Sequence, residues 1–175
     1  GDRKVIGNSL ARLQYGFSVG FDFLGFDVSA FFQGTGNHYW YPSMYSFAFW
    51  GPFSQPMTSY LDKDFLSKCW DENNKDAYFP RPVAYYAYNG SGQLRRVNDR
   101  YLQNCRYLRF KNLSVGYSLP KKIVNKAHIG GVRVYFTGEN LAYWSPIKKH
   151  NTHIDPEAAF NRTDNTYNRA FYPWQ

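Results

Sequence analysis

The sequence predicts an all-β chain, and more narrowly part of a transmembrane antiparallel β-barrel with long extracellular loops. Three observations carry that expectation. Aromatic residues make up 21% of the 175 (16 Tyr, 15 Phe, 5 Trp) and charged residues only 19%, a composition too apolar for a disordered chain and too poor in charge for a solvated helical bundle. Several segments alternate apolar and polar residues with period two over about ten positions, the length of an outer-membrane strand. No stretch approaches the roughly 18 to 20 apolar residues of a membrane-spanning helix, so any crossing must be made by strands.

The first strand is expected at about 13–23. Leu13, Tyr15, Phe17, Val19, Phe21 and Phe23 alternate there with Gln14, Gly16, Ser18, Gly20 and Asp22. After Leu24-Gly25 the phase restarts at about 26–33, with Phe26, Val28, Ala30 and Phe32 on one face and Asp27, Ser29, Phe31 and Gln33 on the other, which makes a hairpin. The second face is small and polar but nearly uncharged, unlike the Lys, Glu and Thr of a soluble sandwich. A third strand is expected at about 107–119, where Leu113, Val115, Tyr117 and Leu119 oppose Asn112, Ser114, Gly116 and Ser118 until Pro120 ends it. Residues 121–131 read as a short connector with helical character (Ile123, Val124, Ala127), and a fourth strand follows at about 132–144.

Between the hairpins, residues 34–106 are too long for an ordinary loop and are rich in Trp, Tyr, Pro and Asn. Within them Ser59 and Asp62 can cap a short helix carrying Leu61, Phe65, Leu66 and Cys69, an irregular loop being the alternative. Charge is unevenly spread: residues 1–94 carry 7 positive and 8 negative side chains, 95–149 carry 12 and 2, and 150–175 carry 2 and 3, giving the net +8. A basic excess suits a phosphate-rich membrane surface as well as a nucleic acid. These residues straddle opposite strand ends, which argues against nucleic acid. One domain is the prior at this length, and an opening on Gly1 and polar residues rather than a basic and apolar leader suggests a piece of something longer.

Five segments carry a family resemblance. YLRFKNLSVGYSLP (107–120) and GVRVYFTGENLAYW (131–144) resemble late strands of SusC/RagA-type TonB-dependent outer-membrane transporters. The opening DRKVIGNSLAR, the hairpin YGFSVGFDFLGFDVSAFFQG and the spacing of Trp70, Glu72, Asn73, Ala77, Tyr78, Pro80 and Arg81 are similar to the same family, in order along nearly the whole chain. The resemblance implies the C-terminal strands of a large plugged barrel of about 22 strands. The plug is absent, and Phe171-Tyr172-Pro173-Trp174-Gln175 falls where a closing strand would begin. It also implies import of oligosaccharides or peptides with TonB and a SusD-like surface lipoprotein as partners, in the outer membrane of a Bacteroidetes-like Gram-negative bacterium, and no cofactor. Leu24-Gly25 and 121–131 would then face the periplasm, and 34–106 and 145–171 the outside.

Candidate site residues follow from that frame. Tyr39, Trp40, Tyr41, Trp50 and Trp70 offer faces that can stack on sugar rings, or instead pack the loop, meet the lipoprotein or form an aromatic girdle. Arg95, Arg96, Arg100 and Arg106 would meet lipopolysaccharide phosphates in the outer leaflet, with Lys121, Lys122 and Lys126 on the periplasmic side; a merely solvated charge run is the alternative. A disulfide between Cys69 and Cys105 is permitted by an oxidising compartment, two unpaired thiols being the other outcome. His150, His153, Asp155 and Glu157 match no zinc or calcium spacing, so no metal is expected. The sequons at Asn89, Asn112 and Asn161 read as chance matches, and no phosphate-cradling loop or catalytic constellation is legible, so no enzyme is expected. The alternative to the importer is a secreted, aromatic-rich β-sandwich that binds polysaccharide.

Overall fold

A computed structural model describes residues 3–42, 46–53, 63–82, 94, 96–152 and 154–157. It is mostly β, with antiparallel sheets, and divides into two compact units: residues 11–37 with 106–145, and residues 1–10, 38–105 and 146–175. Length alone argues for one domain. The division arises because the segment between the second and third long strands gathers an aromatic core of its own. Among the described residues no helix is long and apolar enough to cross a membrane.

The first unit is a four-stranded sheet in the order β1-β2-β5-β6: β1 is Gln14–Phe23, β2 Phe26–Thr35, β5 Tyr107–Ser118 and β6 Arg133–Trp144. Period-two alternation puts strands at nearly these positions, and β2 runs on past residue 33 through Gly34 and Thr35. The β1-β2 turn is Leu24-Gly25, with φ of 48° and 88°, the two positive angles of a hairpin turn that matches strand twist. Gly25 cannot be replaced freely there, because a Cβ would also meet the Ser118 carbonyl oxygen at 2.8 Å.

Register determines what each face presents. Phe17 pairs with Phe32, Val19 with Ala30, Phe21 with Val28 and Phe23 with Phe26; β5 continues the rows with Phe110, Leu113, Val115 and Tyr117; β6 ends them with Ala142, Gly138, Phe136 and Val134. With Phe31 and Tyr135 among the aromatic exceptions on the other side, these apolar rows therefore share one face. That face is open: Val19 is 56% exposed, Phe21 58% and Phe136 64%. Its rings stack in rows across the strands, Phe17 on Phe32 at 5.0 Å and Phe32 on Phe110 at 4.6 Å. A bulge at Lys111 is opposed by Asn140 and Leu141, with Asn140 at φ 51° in the left-handed region that Asn tolerates.

The opposite face is small and polar. Arg133 donates two hydrogen bonds to the Asp27 carboxylate, one from Nε at 3.1 Å, reaching across β5 over Gly116. A Cβ at Gly116 would sit 2.5 Å from Asp27 Oδ1, so the ion pair needs glycine there. Toward the other end Arg109 is buried between the rings of Tyr107 and Tyr143, at 5.8 and 5.5 Å.

On the apolar face, the Tyr15 ring fills the space a Gly34 side chain would occupy, and its hydroxyl donates to the Tyr107 carbonyl at 3.2 Å. The ring replaces the missing side chain and keeps the glycine backbone dry. Gly34→Val should expel that ring, break its hydrogen bond and cost about 1–3 kcal/mol, measured as a lower unfolding midpoint. Tyr15→Phe should keep most of the packing and lose only the bond.

The second unit contains the two-stranded ladder of β3 (Tyr39–Trp40) with β4 (Gln103–Asn104), the short helix α1 (Phe47–Trp50), and 3-10 turns at Gly51–Phe53, Phe65–Lys68 and Pro146–Lys149. The helix expected from Ser59 and Asp62 falls partly outside the described residues, since 54–62 are not among them; the part that is described is the 3-10 turn Phe65–Lys68, closed by Lys68 against Asp64. Phe49, Trp50, Phe53, Phe65, Phe79, Leu94, Tyr101, Ile147 and Ile154 form its core with both cysteines.

Candidate functional site

The candidate site is the aromatic unit, and its rings do different jobs. Trp50 is fully buried: its Nε1 donates to the Pro42 carbonyl at 3.2 Å, and its ring meets Phe49 and Tyr101 edge-on at 4.8 and 5.2 Å. This corrects its place among the stacking candidates, because a side chain with no accessible face cannot receive a sugar. Trp40 and Tyr41 are half-buried and back onto the core, Trp40 against Phe49 at 6.3 Å and Tyr41 against Trp50 at 6.3 Å. The Tyr41 hydroxyl lies 2.8 Å from the Leu94 carbonyl and 3.0 Å from that of Arg96, and accepts from Asn98 Nδ2 at 3.1 Å. Tyr39 is half-buried over Gly7, and Trp70, also half-buried, donates its backbone N–H to the Phe79 carbonyl at 2.9 Å.

Of the two outcomes left open for the cysteines, the structure has the unpaired thiols. Cys69 and Cys105 are free, buried thiols, Cys69 donating to the Phe65 carbonyl and Cys105 to that of Gln103. Each is held by aromatic packing and a local carbonyl, and burial raises both thiols, Cys105 to about 12.

A second cluster was not legible in the sequence. Tyr78 is clasped by residues 100–103: its hydroxyl donates to the Arg100 carbonyl at 3.0 Å and accepts from Gln103 Nε2 at 2.9 Å. Arg100 Nε returns a hydrogen bond to the Tyr78 carbonyl at 3.1 Å, and the Tyr101 hydroxyl donates to the same oxygen at 3.3 Å. Burial pushes the Tyr78 phenol up to about 12 despite the Gln103 donor. Arg100, expected to meet lipid phosphate, is thus engaged with backbone carbonyls. Arg96 and Arg106 are exposed, and Arg95 lies outside the described residues.

His150 stacks on the Tyr78 ring, centroids 3.6 Å apart and planes within 7°. Burial first, then Lys149 and Arg100, hold its pKa below the ordinary 6.5. The folded state therefore takes up the proton less readily than the unfolded chain, and stability rises with pH between the two values. The stack should be at full strength above about pH 6.5 and weaken as pH falls below it; hydrogen exchange of residues 77–79 and 147–151 at pH 8 and pH 5 measures this. His150→Phe should flatten the difference, and an unchanged pH response in that variant would move the effect elsewhere. Among the described residues no cluster of His, Cys, Asp and Glu could hold a metal. His153 is outside them, while Asp155 is buried and accepts from the Glu157 N–H at 2.9 Å.

Comparison with known proteins defines the class. The chain is 27% identical over 164 residues to TonB-dependent receptor P3 of Formosa agariphila, an alignment covering 94% of this chain and 14% of that receptor. It is 30% identical over 183 residues to TonB-dependent receptor P26 of the same organism, covering 98% and 17%. Among solved structures, the RagAB peptide importer matches in its open-open state with a TM-score of 0.59 and 27% identity, over 89% of this chain and 15% of that one. A further RagAB peptide transporter structure matches with a TM-score of 0.53 and 28% identity, over 82% and 14%. No family model matches. The class is that of TonB-dependent receptors, and within it the likeness is to the SusC/RagA type, the resemblance its motifs carry. The chain spans 14% and 17% of the length of these two relatives.

Proposed function

We propose that the chain is part of a TonB-dependent outer-membrane nutrient importer, in which the four-stranded sheet supplies barrel wall and the aromatic unit supplies external surface for substrate and partner. The observation that carries this is the register: it gathers the apolar half of every strand onto one face and leaves that face open. In water such a face is a liability, while in a bilayer it is the lipid-facing wall. A polysaccharide-binding sandwich would cover it with a second sheet, which these exposures do not support.

The outer edges of β1 and β6 carry no partner strand among the described residues. A bilayer does not tolerate open edges, so neighbouring strands of the same barrel complete them. A strand of ten residues at about 3.3 Å each, tilted about 45°, spans about 23 Å, close to the apolar band of such barrels. Tyr15 and Trp144 at one end, and Phe23, Phe26 and Tyr117 at the other, supply the flanking aromatic girdles.

Peptides or oligosaccharides are the cargo, handed over with a SusD-like lipoprotein and driven by TonB. The likeness to a peptide importer favours peptides as the first class to test, and the half-exposed faces of Trp40 and Tyr41 suit sugar rings. The test is uptake of labelled oligopeptides and oligosaccharides by cells whose full-length protein lacks residues 38–105. Lost uptake of one class with the protein still assembled in the outer membrane supports the reading. Unchanged uptake of both, or a full-length protein absent from that membrane, overturns it.

A further inference from the structure

The end of the sheet that carries the two short connectors has an unusual surface. Leu24, at the tip of the β1-β2 turn, is 80% exposed in a left-handed conformation that a bulky residue rarely adopts. The β5-β6 connector begins with Pro120 and folds as the helix α2 (Lys121–Val124) and a 3-10 turn, Asn125–Ala127, which His128 closes at φ 55°. It tucks Val124 inward and leaves Ile123 56% and Ile129 47% exposed. Lys121, Lys122 and Lys126 are exposed, and none has an ion-pair partner among the described residues. The segment from Ser118 to Val132 holds no Asp or Glu. Asp22 and Asp27, beside the β1-β2 turn, belong to the polar face of that hairpin, and Asp27 is taken by Arg133. The two connectors lie together, since the Ser118 N–H donates to the Gly25 carbonyl at 2.7 Å and the Leu119 N–H to that of Val132 at 2.9 Å.

Exposed isoleucine and leucine beside unpaired lysines make a poor surface in water and a good one at a bilayer interface. There the apolar groups enter the acyl boundary while long lysine stems carry their charge to the phosphates. We propose that Leu24, Ile123 and Ile129 with Lys121, Lys122 and Lys126 form an interfacial anchor that binds the headgroup phosphates of anionic phospholipids in the leaflet at this end of the barrel. The inference rests on the reading of the sheet as membrane wall. The anchor fixes the depth of β5 and β6 in the bilayer at the end where their connector is short. Each lysine near an anionic surface contributes about a fivefold preference over a neutral one.

The test uses the full-length protein in nanodiscs, with a cysteine at Ile129 carrying an environment-sensitive dye and the lipid supplied as brominated phosphatidylglycerol or brominated phosphatidylcholine. Quenching should report a preference for phosphatidylglycerol of about tenfold to a hundredfold, falling to about one in a Lys121→Gln, Lys122→Gln, Lys126→Gln variant. A preference that survives the triple substitution overturns the proposal. A companion protein labelled at Val19→Cys, on the apolar face of the sheet, separates the two readings. Quenching at 19 but not at 129 removes the anchor and keeps the wall, and quenching at neither removes both.

Discussion

Val19→Arg should destabilise the protein in a bilayer by about 2–4 kcal/mol, the cost of a cation on the lipid face near the midplane. Val19 stands midway along β1, opposite Ala30, on the open apolar face, and is 56% exposed. In a protein whose sheet faces water, an arginine at so exposed a position would change stability by no more than about 0.5 kcal/mol. The same substitution thus separates lipid from water by its size alone. Ser18→Arg, one residue earlier and on the polar face, is the control, and its cost should be small because that side is wet. The comparison is made by unfolding titrations of the full-length protein in lipid vesicles. Equal effects at 18 and 19 would sink the membrane wall, since a one-residue step in a strand changes the face and little else.

That reasoning rests on a pattern the sequence displays openly. Alternation fixes which residues share a face, and a buried or lipid-covered face fixes register, because a one-residue slip would turn Phe17, Val19 and Phe21 to the polar side. Strand bounds and the Leu24-Gly25 turn were legible for that reason. Lys111 was not, because a bulge leaves each flanking run in phase with itself and shows only in how two strands meet. The positive φ of Asn140 belongs to the same bulge, and its residue type is the one available hint.

The aromatic unit was illegible for a different reason. It has no period: Phe49, Phe79, Tyr101 and Ile147 come from separate short segments and meet through contacts distant in sequence. Nothing local distinguishes Trp50 from Trp70, yet one is fully buried and the other half-exposed. His150 with its acidic neighbours matched no metal spacing and read as a polar loop, and nothing in that pattern announced that the fold spends its ring on Tyr78. Two cysteines in an oxidising compartment left a bond and two thiols both open, because sequence does not show how near their Cα atoms come; the core uses each as a small apolar group beside a carbonyl acceptor.

Trp50→Ala should unfold the aromatic unit locally while leaving the sheet intact. The indole is fully buried, packs edge-on against Phe49 and Tyr101, and satisfies the Pro42 carbonyl. Removing a side chain of that size from a packed core costs about 3–5 kcal/mol, a large part of what a unit this small can hold. Protection of residues 46–53 and 100–105 against hydrogen exchange should fall on the order of a hundredfold or more, with the strands β1, β2, β5 and β6 unchanged. Trp70→Ala, at a half-exposed position, should lose far less protection. The pair also decides where substrate contact can reside. A Trp70→Ala protein that stays folded and loses cargo binding would place contact at the rim, whereas a Trp50→Ala protein can lose binding only by losing the fold beneath it. Full protection in Trp50→Ala with weakened binding would return Trp50 to the set of substrate-stacking rings.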